Sequence, residues 1–194
     1  MTCSGVLIGV RGRDQMTINR EIIYYYAEKL RKALDHARVE PLLSRDIVFR
    51  SFPRGCCGDT CYLLAEYLRK NDIETIYVVG EDGDQSHAWL VVKDNNILPP
   101  TPNTTELPEH IRVVLSNYSG KQYGTSIVNV NYTENDIEEG LIIDITADQF
   151  DQSPVYVDYL RSFHKRFEFV HAHDYDNLDS SLLKTFFKVV MKYI

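Results

Sequence analysis

The sequence has little of what marks nucleic-acid-binding or membrane-spanning proteins. Its 194 residues include 21 basic and 28 acidic side chains, for a formal charge of -7, and no basic run stands out. An acidic chain without a basic patch lacks the electrostatic footprint for binding duplexes or anionic membrane surfaces. No apolar run approaches the roughly 20 residues that a membrane-spanning helix requires. We therefore expect neither a nucleic acid partner nor membrane association.

Cysteine is also scarce, and its distribution is uneven. The chain has four cysteines, which are Cys3 alone and then Cys56, Cys57 and Cys61 close together. A small secreted protein spreads its cysteines into a disulfide framework, which this cluster does not resemble. The N-terminal stretch is apolar only over residues 6–10, with basic residues after it, so it is a poor signal peptide. We expect a cytoplasmic protein.

Hydrophobic periodicity predicts helices mixed with antiparallel strands. Apolar residues recur at helical spacing over 17–39, from near Cys57 to Lys70, and from Leu182 to Tyr193. Two runs rich in β-branched and aromatic residues, 73–79 and 87–92, flank a turn-forming segment and predict an antiparallel hairpin. The pattern is typical of an α+β fold.

Further segments complete the predicted fold. We predict strands over 127–131 and 141–145, and a surface crossing over the proline-rich stretch 98–107, because proline cannot continue a central strand. The length suits one domain, so we expect a single domain over residues 1–194.

The cysteine cluster lies where the second helix should begin. A thiol attacks as its thiolate, which a helix N-terminus or an adjacent imidazolium stabilises. Gly55 and Gly58 flank Cys56 and Cys57, so the backbone there can turn sharply and leave unpaired N–H groups at the helix start. Helical spacing places Cys57 with Cys61 on the stripe that should pack on the sheet. This favours Cys57 as a nucleophile but leaves Cys56 open.

Two polar residues lie in strands whose other residues are apolar. His87 begins the run 87–92, and Asp144 lies within 141–145. Burying a lone carboxylate is costly unless a cation or donor compensates it, and His87 is the partner that we predict for Asp144. With Cys57 as nucleophile, His87 as base and Asp144 orienting the ring, the three form a consistent catalytic triad. Taken singly, each also suits a structural role: an inert thiol, a core histidine and a turn-forming aspartate.

Three short motifs resemble the transglutaminase-like and papain-like cysteine protease superfamily. The resemblance spans about residues 52–150 and is closest to a bacterial subgroup of uncharacterised transglutaminase-like proteins. The motifs are Gly55-Cys56-Cys57-Gly58 at a helix start, His87-Ala88-Trp89 on a strand, and Ile143-Asp144-Ile145-Thr146 at a strand end.

Two departures from the family pattern affect the expected activity. Cys61 stands where a small residue is usual, and no glutamine before Cys57 matches the oxyanion-hole glutamine of papain-like proteases. The second departure puts classical protease activity in doubt. Gln85 and Gln149 lie near the motifs, without a pattern that assigns them a role.

The resemblance implies both a fold and a reaction. It implies a papain-like/transglutaminase-like core over about residues 45–150, with N-terminal helices packed on a mainly antiparallel sheet and helical extensions at both ends. It selects Cys57 over Cys56 and implies a Cys57, His87 and Asp144 triad for thiol-dependent acyl transfer or hydrolysis on an amide bond. The activity would be that of a protease, deamidase or transglutaminase, acting on protein or peptide without a cofactor or metal.

Two other interpretations stay open. The same fold without catalysis would be a protein-binding module, since a fold does not fix a function. A zinc site would use Cys56, Cys57, Cys61 and His87, or His171 and His173, although adjacent cysteines lack the usual spacing of structural zinc ligands. We predict a solvated loop over 171–174 because acidic residues adjoin its histidines. Nothing in the sequence indicates the oligomeric state.

Overall fold

The computed structural model describes residues 20–93, 132–137, 140–159 and 163–194. The described elements are, in chain order, α1 (Arg20–Ala37), α2 (Pro41–Ser44), a 3-10 helix (Phe49–Ser51), α3 (Cys57–Arg69), β1 (Thr75–Asp82), β2 (Gln85–Val92), α4 (Glu134–Ile137), β3 (Leu141–Asp144), a 3-10 helix (Ala147–Phe150), β4 (Tyr156–Tyr159), a 3-10 helix (His164–Arg166), β5 (Glu168–Asp174), α5 (Ser181–Val190) and a 3-10 helix (Met191–Tyr193).

The strands form one five-stranded sheet in the order β4-β3-β2-β1-β5. Every neighbouring pair is antiparallel, which confirms the α+β prediction and the predicted hairpin of β1 and β2. The hairpin pairs Asp82 with Gln85, so only Gly83 and Asp84 form its turn. Because β2 and β3 are antiparallel, the start of β2 and the end of β3 lie at the same end of the sheet.

Helices α1, α3 and α5 pack together, and α1 and α3 also pack against the sheet. The core-facing side of α1 is buried, with Ile23, Ala27 and Leu30 at 0% exposure and spaced by about a helical turn, whereas Ile22, expected on the same apolar stripe, is 51% exposed. In α5 the side chain of Ser180 accepts a hydrogen bond from the Leu183 N–H at 3.3 Å, which caps the helix. The described helices are too short or too polar to span a membrane.

Two strands differ from the sequence expectations. The predicted loop over 171–174 is wrong, because these residues belong to β5, which pairs with β1 along the sheet edge. The strand β4 was not predicted. Both are edge strands with several half-exposed positions, so their sequences lack the apolar runs that mark central strands. The predicted strand over 127–131 and the surface crossing over 98–107 lie outside the described residues.

Candidate active site

Cys57 is the first residue of α3, as predicted. The preceding Gly55 has a φ of 70°, a left-handed conformation that favours glycine and turns the chain into the helix. The next residue, Gly58, lies against β1, since a Cβ there would be 3.1 Å from the Tyr77 hydroxyl. The N-cap residue Cys56 makes no side-chain capping bond, and the N–H groups of the first turn have no partner within the helix.

Burial distinguishes Cys57 from the neighbouring thiols. Cys57 is half-buried, whereas Cys56 and Cys61 are buried. Burial raises the pKa of the Cys56 thiol to about 12, and this thiol donates to the Pro53 carbonyl at 3.2 Å. Burial also raises the pKa of Cys61 well above its ordinary value. Raised pKa values make both thiols poor nucleophiles, so Cys57 stays the predicted nucleophile.

His87 and Asp144 form the buried pair that the sequence suggested. His87 Nε2 lies 2.7 Å from Asp144 Oδ2, and the two side chains are 0% and 1% exposed. Burial disfavours ionisation of Asp144, but the charge of His87 and the hydrogen bonds from His164 and His87 hold the pKa of this carboxyl below its ordinary value. As a carboxylate, Asp144 can only accept, so Nε2 carries the proton and Nδ1 is the nitrogen free for other partners.

The Cys57 side chain lies close enough to the His87 ring to affect the pKa of that ring. Burial opposes charge on this ring, but the charge and hydrogen bond of Asp144, together with the bond to Cys57, raise the pKa of His87 to about 9. The structure thus shows the His87–Asp144 contact with Cys57 in the electrostatic neighbourhood of the ring, and the triad stays a prediction. A ring of this basicity can hold a proton taken from the thiol.

A second histidine, His164, binds the same carboxylate. Its Nε2 lies 3.1 Å from Asp144 Oδ2, and the residue is 1% exposed. The other oxygen of Asp144 accepts from the N–H and the hydroxyl of Thr146, at 2.8 and 3.1 Å. Burial lowers the pKa of His164 despite this contact, so the ring is neutral and donates its Nε2 proton. Four donors therefore hold Asp144 in place.

Gln149 is the remaining polar contact of His87. Its Nε2 lies 3.2 Å from His87 Nδ1. Gln149 belongs to the 3-10 helix that follows Asp144, so the segment directly after the carboxylate places an amide beside the same imidazole ring. Aromatic rings enclose the rest of the imidazole, with centroids within 6.1 Å of it: Trp89, Phe150, Phe163 and Phe167.

Arg31 of α1 connects the segments that carry the site. Its guanidinium donates to Asp148 at 2.7 and 2.9 Å, and to the carbonyls of Ile145 and Pro154 at 2.8 and 3.1 Å. The same group lies 4.9 Å from the ring of Phe52, in the segment before Cys57. Arg31 thus holds the loop after Asp144 and the approach to Cys57 against one helix.

The described residues contain one group of three or more potential metal ligands, formed by His87, Asp144 and His164, whose ligand atoms lie within 4.8 Å of one another. Zinc held at 2.0–2.1 Å in tetrahedral geometry would separate its ligand atoms by about 3.3 Å. The 2.7 Å separation of His87 and Asp144 instead fits a hydrogen bond, so we assign no metal here. The cysteines with His87, and the pair His171 and His173, form no such group.

Two members of the site were missed by the sequence reasoning. His164 lies in a 3-10 helix without a motif, and Gln149 was noted near the third motif without a role. Gln149 could have been suspected from its position five residues after Asp144, because a turn after the strand brings such a residue back beside the site. No local pattern marked His164.

Comparison of the chain with protein-family models, with curated proteins and with solved structures finds no match. The resemblance to the transglutaminase-like superfamily therefore stays an interpretation of the three motifs, and the chemistry must be argued from the geometry of Cys57, His87 and Asp144.

Proposed function

We propose that the protein is a thiol-dependent acyl-transfer enzyme, acting on an amide bond of a protein or peptide, with a papain-like/transglutaminase-like core. The observation that carries the proposal is the buried His87–Asp144 hydrogen bond, together with the half-buried Cys57 thiol at the start of α3 that affects the same imidazole. A binding module has no evident need for a basic imidazole beside a partly exposed thiol at a helix start.

The first half-reaction would form a thioester. His87 Nδ1 takes the thiol proton, and the Cys57 sulfur attacks the carbonyl carbon of the amide. The negative charge moves to the carbonyl oxygen, where first-turn N–H groups of α3 are positioned to donate to it. The carbon–nitrogen bond then breaks, and the leaving amine takes the proton from Nδ1.

The second half-reaction would release the acyl group. Water or a primary amine gives a proton to Nδ1 as it attacks the thioester carbonyl. The carbon–sulfur bond breaks, and the Cys57 sulfur recovers the proton. Water yields hydrolysis or deamidation, whereas an amine yields a cross-link. Asp144 keeps the ring in the orientation and tautomer that both steps require.

Labelling and turnover of the same protein test the proposal. We expect iodoacetamide to modify Cys57 before the other thiols, and at pH 6 rather than only above pH 8, because His87 stabilises the thiolate. With glutamine-containing peptides and a primary amine probe, mass spectrometry should detect cleavage, deamidation or amine incorporation. The Cys57→Ser variant should fold normally and lose at least about a thousandfold in turnover, since an alcohol is a far weaker nucleophile.

The neighbouring Cys56→Ser variant is the matched control. A serine hydroxyl can still donate to the Pro53 carbonyl, so this variant should keep both labelling of Cys57 and turnover. Turnover that survives Cys57→Ser, or a Cys57 thiol that reacts with iodoacetamide no faster than a free cysteine at pH 6, would contradict the proposal.

A further inference from the structure

Gln149 competes with Cys57 for one nitrogen of His87. Asp144 occupies Nε2, so Nδ1 must serve both the thiol and the Gln149 amide, whose Nε2 lies 3.2 Å away. In the neutral ring Nδ1 carries a lone pair and accepts the amide N–H. Once Nδ1 is protonated, two donors face each other, and the amide must turn over to offer its Oε1 or move away. Protonation of Nδ1 and donation from Gln149 Nε2 therefore exclude each other.

We propose that Gln149 is a positioning residue of the proposed acyl transfer, one that stabilises the neutral, proton-accepting form of His87 relative to the charged form and releases Nδ1 when the thiol proton arrives. The inference rests on the proposed function, because only a ring that exchanges protons with Cys57 needs such a partner. A donor on the neutral ring stabilises that ring relative to the imidazolium. Gln149 thus opposes Asp144, which stabilises the charged form.

The loop around Gln149 is built to hold this contact. Its neighbour Asp148 is fixed to Arg31 at 2.7 Å, and Phe150 packs edge-to-face on the His87 ring at 4.9 Å. The side chain between them is thereby directed at Nδ1. Three titratable groups surround His87: Asp144 from β3, Cys57 from α3, and His164, which shares the Asp144 carboxylate. The charge of Arg166 lies over the rings of Phe150 and Phe167, which pack against the imidazole.

The experiment measures the His87 titration directly. In the Cys57→Ser background, which removes the coupled thiol, NMR of the imidazole gives the midpoint with Gln149 and with Gln149→Met, a side chain of similar length without a donor. Loss of one neutral hydrogen bond should raise this midpoint by about 0.5 to 1 pH unit. Gln149→Glu, which can accept but not donate, should raise it at least as far. The exposed Gln152→Met, three residues along the chain, should leave it unchanged.

A second readout links the contact to the thiol. With Cys57 present, Gln149→Met should speed iodoacetamide labelling at pH 6 to 7 by about three- to tenfold, because the neutral thiol and imidazole pair loses stabilisation. A His87 midpoint that stays fixed or falls in Gln149→Met overturns the inference. If the midpoint rises as expected but wild-type Cys57 reacts like a free thiol, the contact is real and the proposed function fails instead.

Discussion

At the scale of single residues, the site depends on how a buried charge is satisfied. Asp144 receives four hydrogen bonds, and only one of these comes from the residue that would act as base. The contact from His164 adds no nucleophile or base of its own. Its effect is to keep the carboxylate ionised, and so to keep His87 basic and correctly oriented.

This role predicts the effect of replacing His164. His164→Phe keeps an aromatic ring but removes the donor, which should cost about 1–3 kcal/mol in the free energy of unfolding, because a buried carboxylate loses a partner. It should also slow the labelling of Cys57 at pH 6. His164→Gln, whose Nε2 can stand near the lost ring nitrogen, should recover much of both. Urea unfolding gives the first quantity, and equal loss in the two variants would argue against a donor role.

At the scale of elements, α1 supports a site that it does not contribute to chemically. Arg31 is 8% exposed and binds the loop from Ile145 to Pro154 through one carboxylate and two carbonyls. Since this loop follows Asp144 directly and contains Gln149, its position affects two of the residues that contact His87. Helix α1, through Arg31, therefore fixes the position of this loop.

Removing this guanidinium should strongly lower the free energy of unfolding. Arg31→Met leaves Asp148 and two carbonyls without their donor, and we expect a loss of about 3 kcal/mol or more in the free energy of unfolding. Arg31→Lys should recover only part of it, since an ammonium cannot reproduce the two-pronged contact. The adjacent Lys32→Met is the control, because Lys32 pairs with Glu28 at the surface and should cost under about 0.5 kcal/mol. Similar urea midpoints for Arg31→Met and Lys32→Met would refute this account.

At the scale of the whole molecule, the pKa values of the buried histidines are shifted in opposite directions. The pKa of His87 is raised to about 9, so its contribution to stability is complete below about 6.5 and is lost as the pH rises through 9. Burial lowers the pKa of His171 to about 4, and also lowers those of His164 and His173. Because the unfolded chain binds these protons more readily, stability falls as the pH drops below about 6.5.

The free energy of unfolding should therefore peak near pH 6 to 7. Asp144→Asn removes the charge that makes His87 basic, and the deficit relative to wild type should be about 2 kcal/mol larger at pH 6 than at pH 9.5. His171→Asn should reduce the fall in stability between pH 6.5 and 4. Urea titrations at a series of pH values measure both. A deficit of Asp144→Asn that is independent of pH would show that His87 does not exchange its proton in this range.

The sequence by itself determined most of the local elements and predicted the three residues of the proposed site. Helical spacing located α1, α3 and α5, and the run of β-branched residues located the hairpin, because these patterns act over a few neighbouring residues. His87 and Asp144 were recognisable because each is a polar residue in an apolar strand, and a buried polar group requires a partner. Whether they catalyse acyl transfer stays a prediction.

Helical spacing and the motif resemblance favoured Cys57, but only the tertiary structure showed that Cys56 is buried and Cys57 half-buried, since the exposure of adjacent helix-start residues depends on what packs over them. It also placed His164 on Asp144, 20 residues away, and turned the His171 segment into an edge strand paired with β1. These contacts join distant parts of the chain, so no local sequence pattern predicts them. The position of Gln149 on His87 Nδ1 was likewise fixed by the loop that Arg31 anchors, a contact spanning 117 residues.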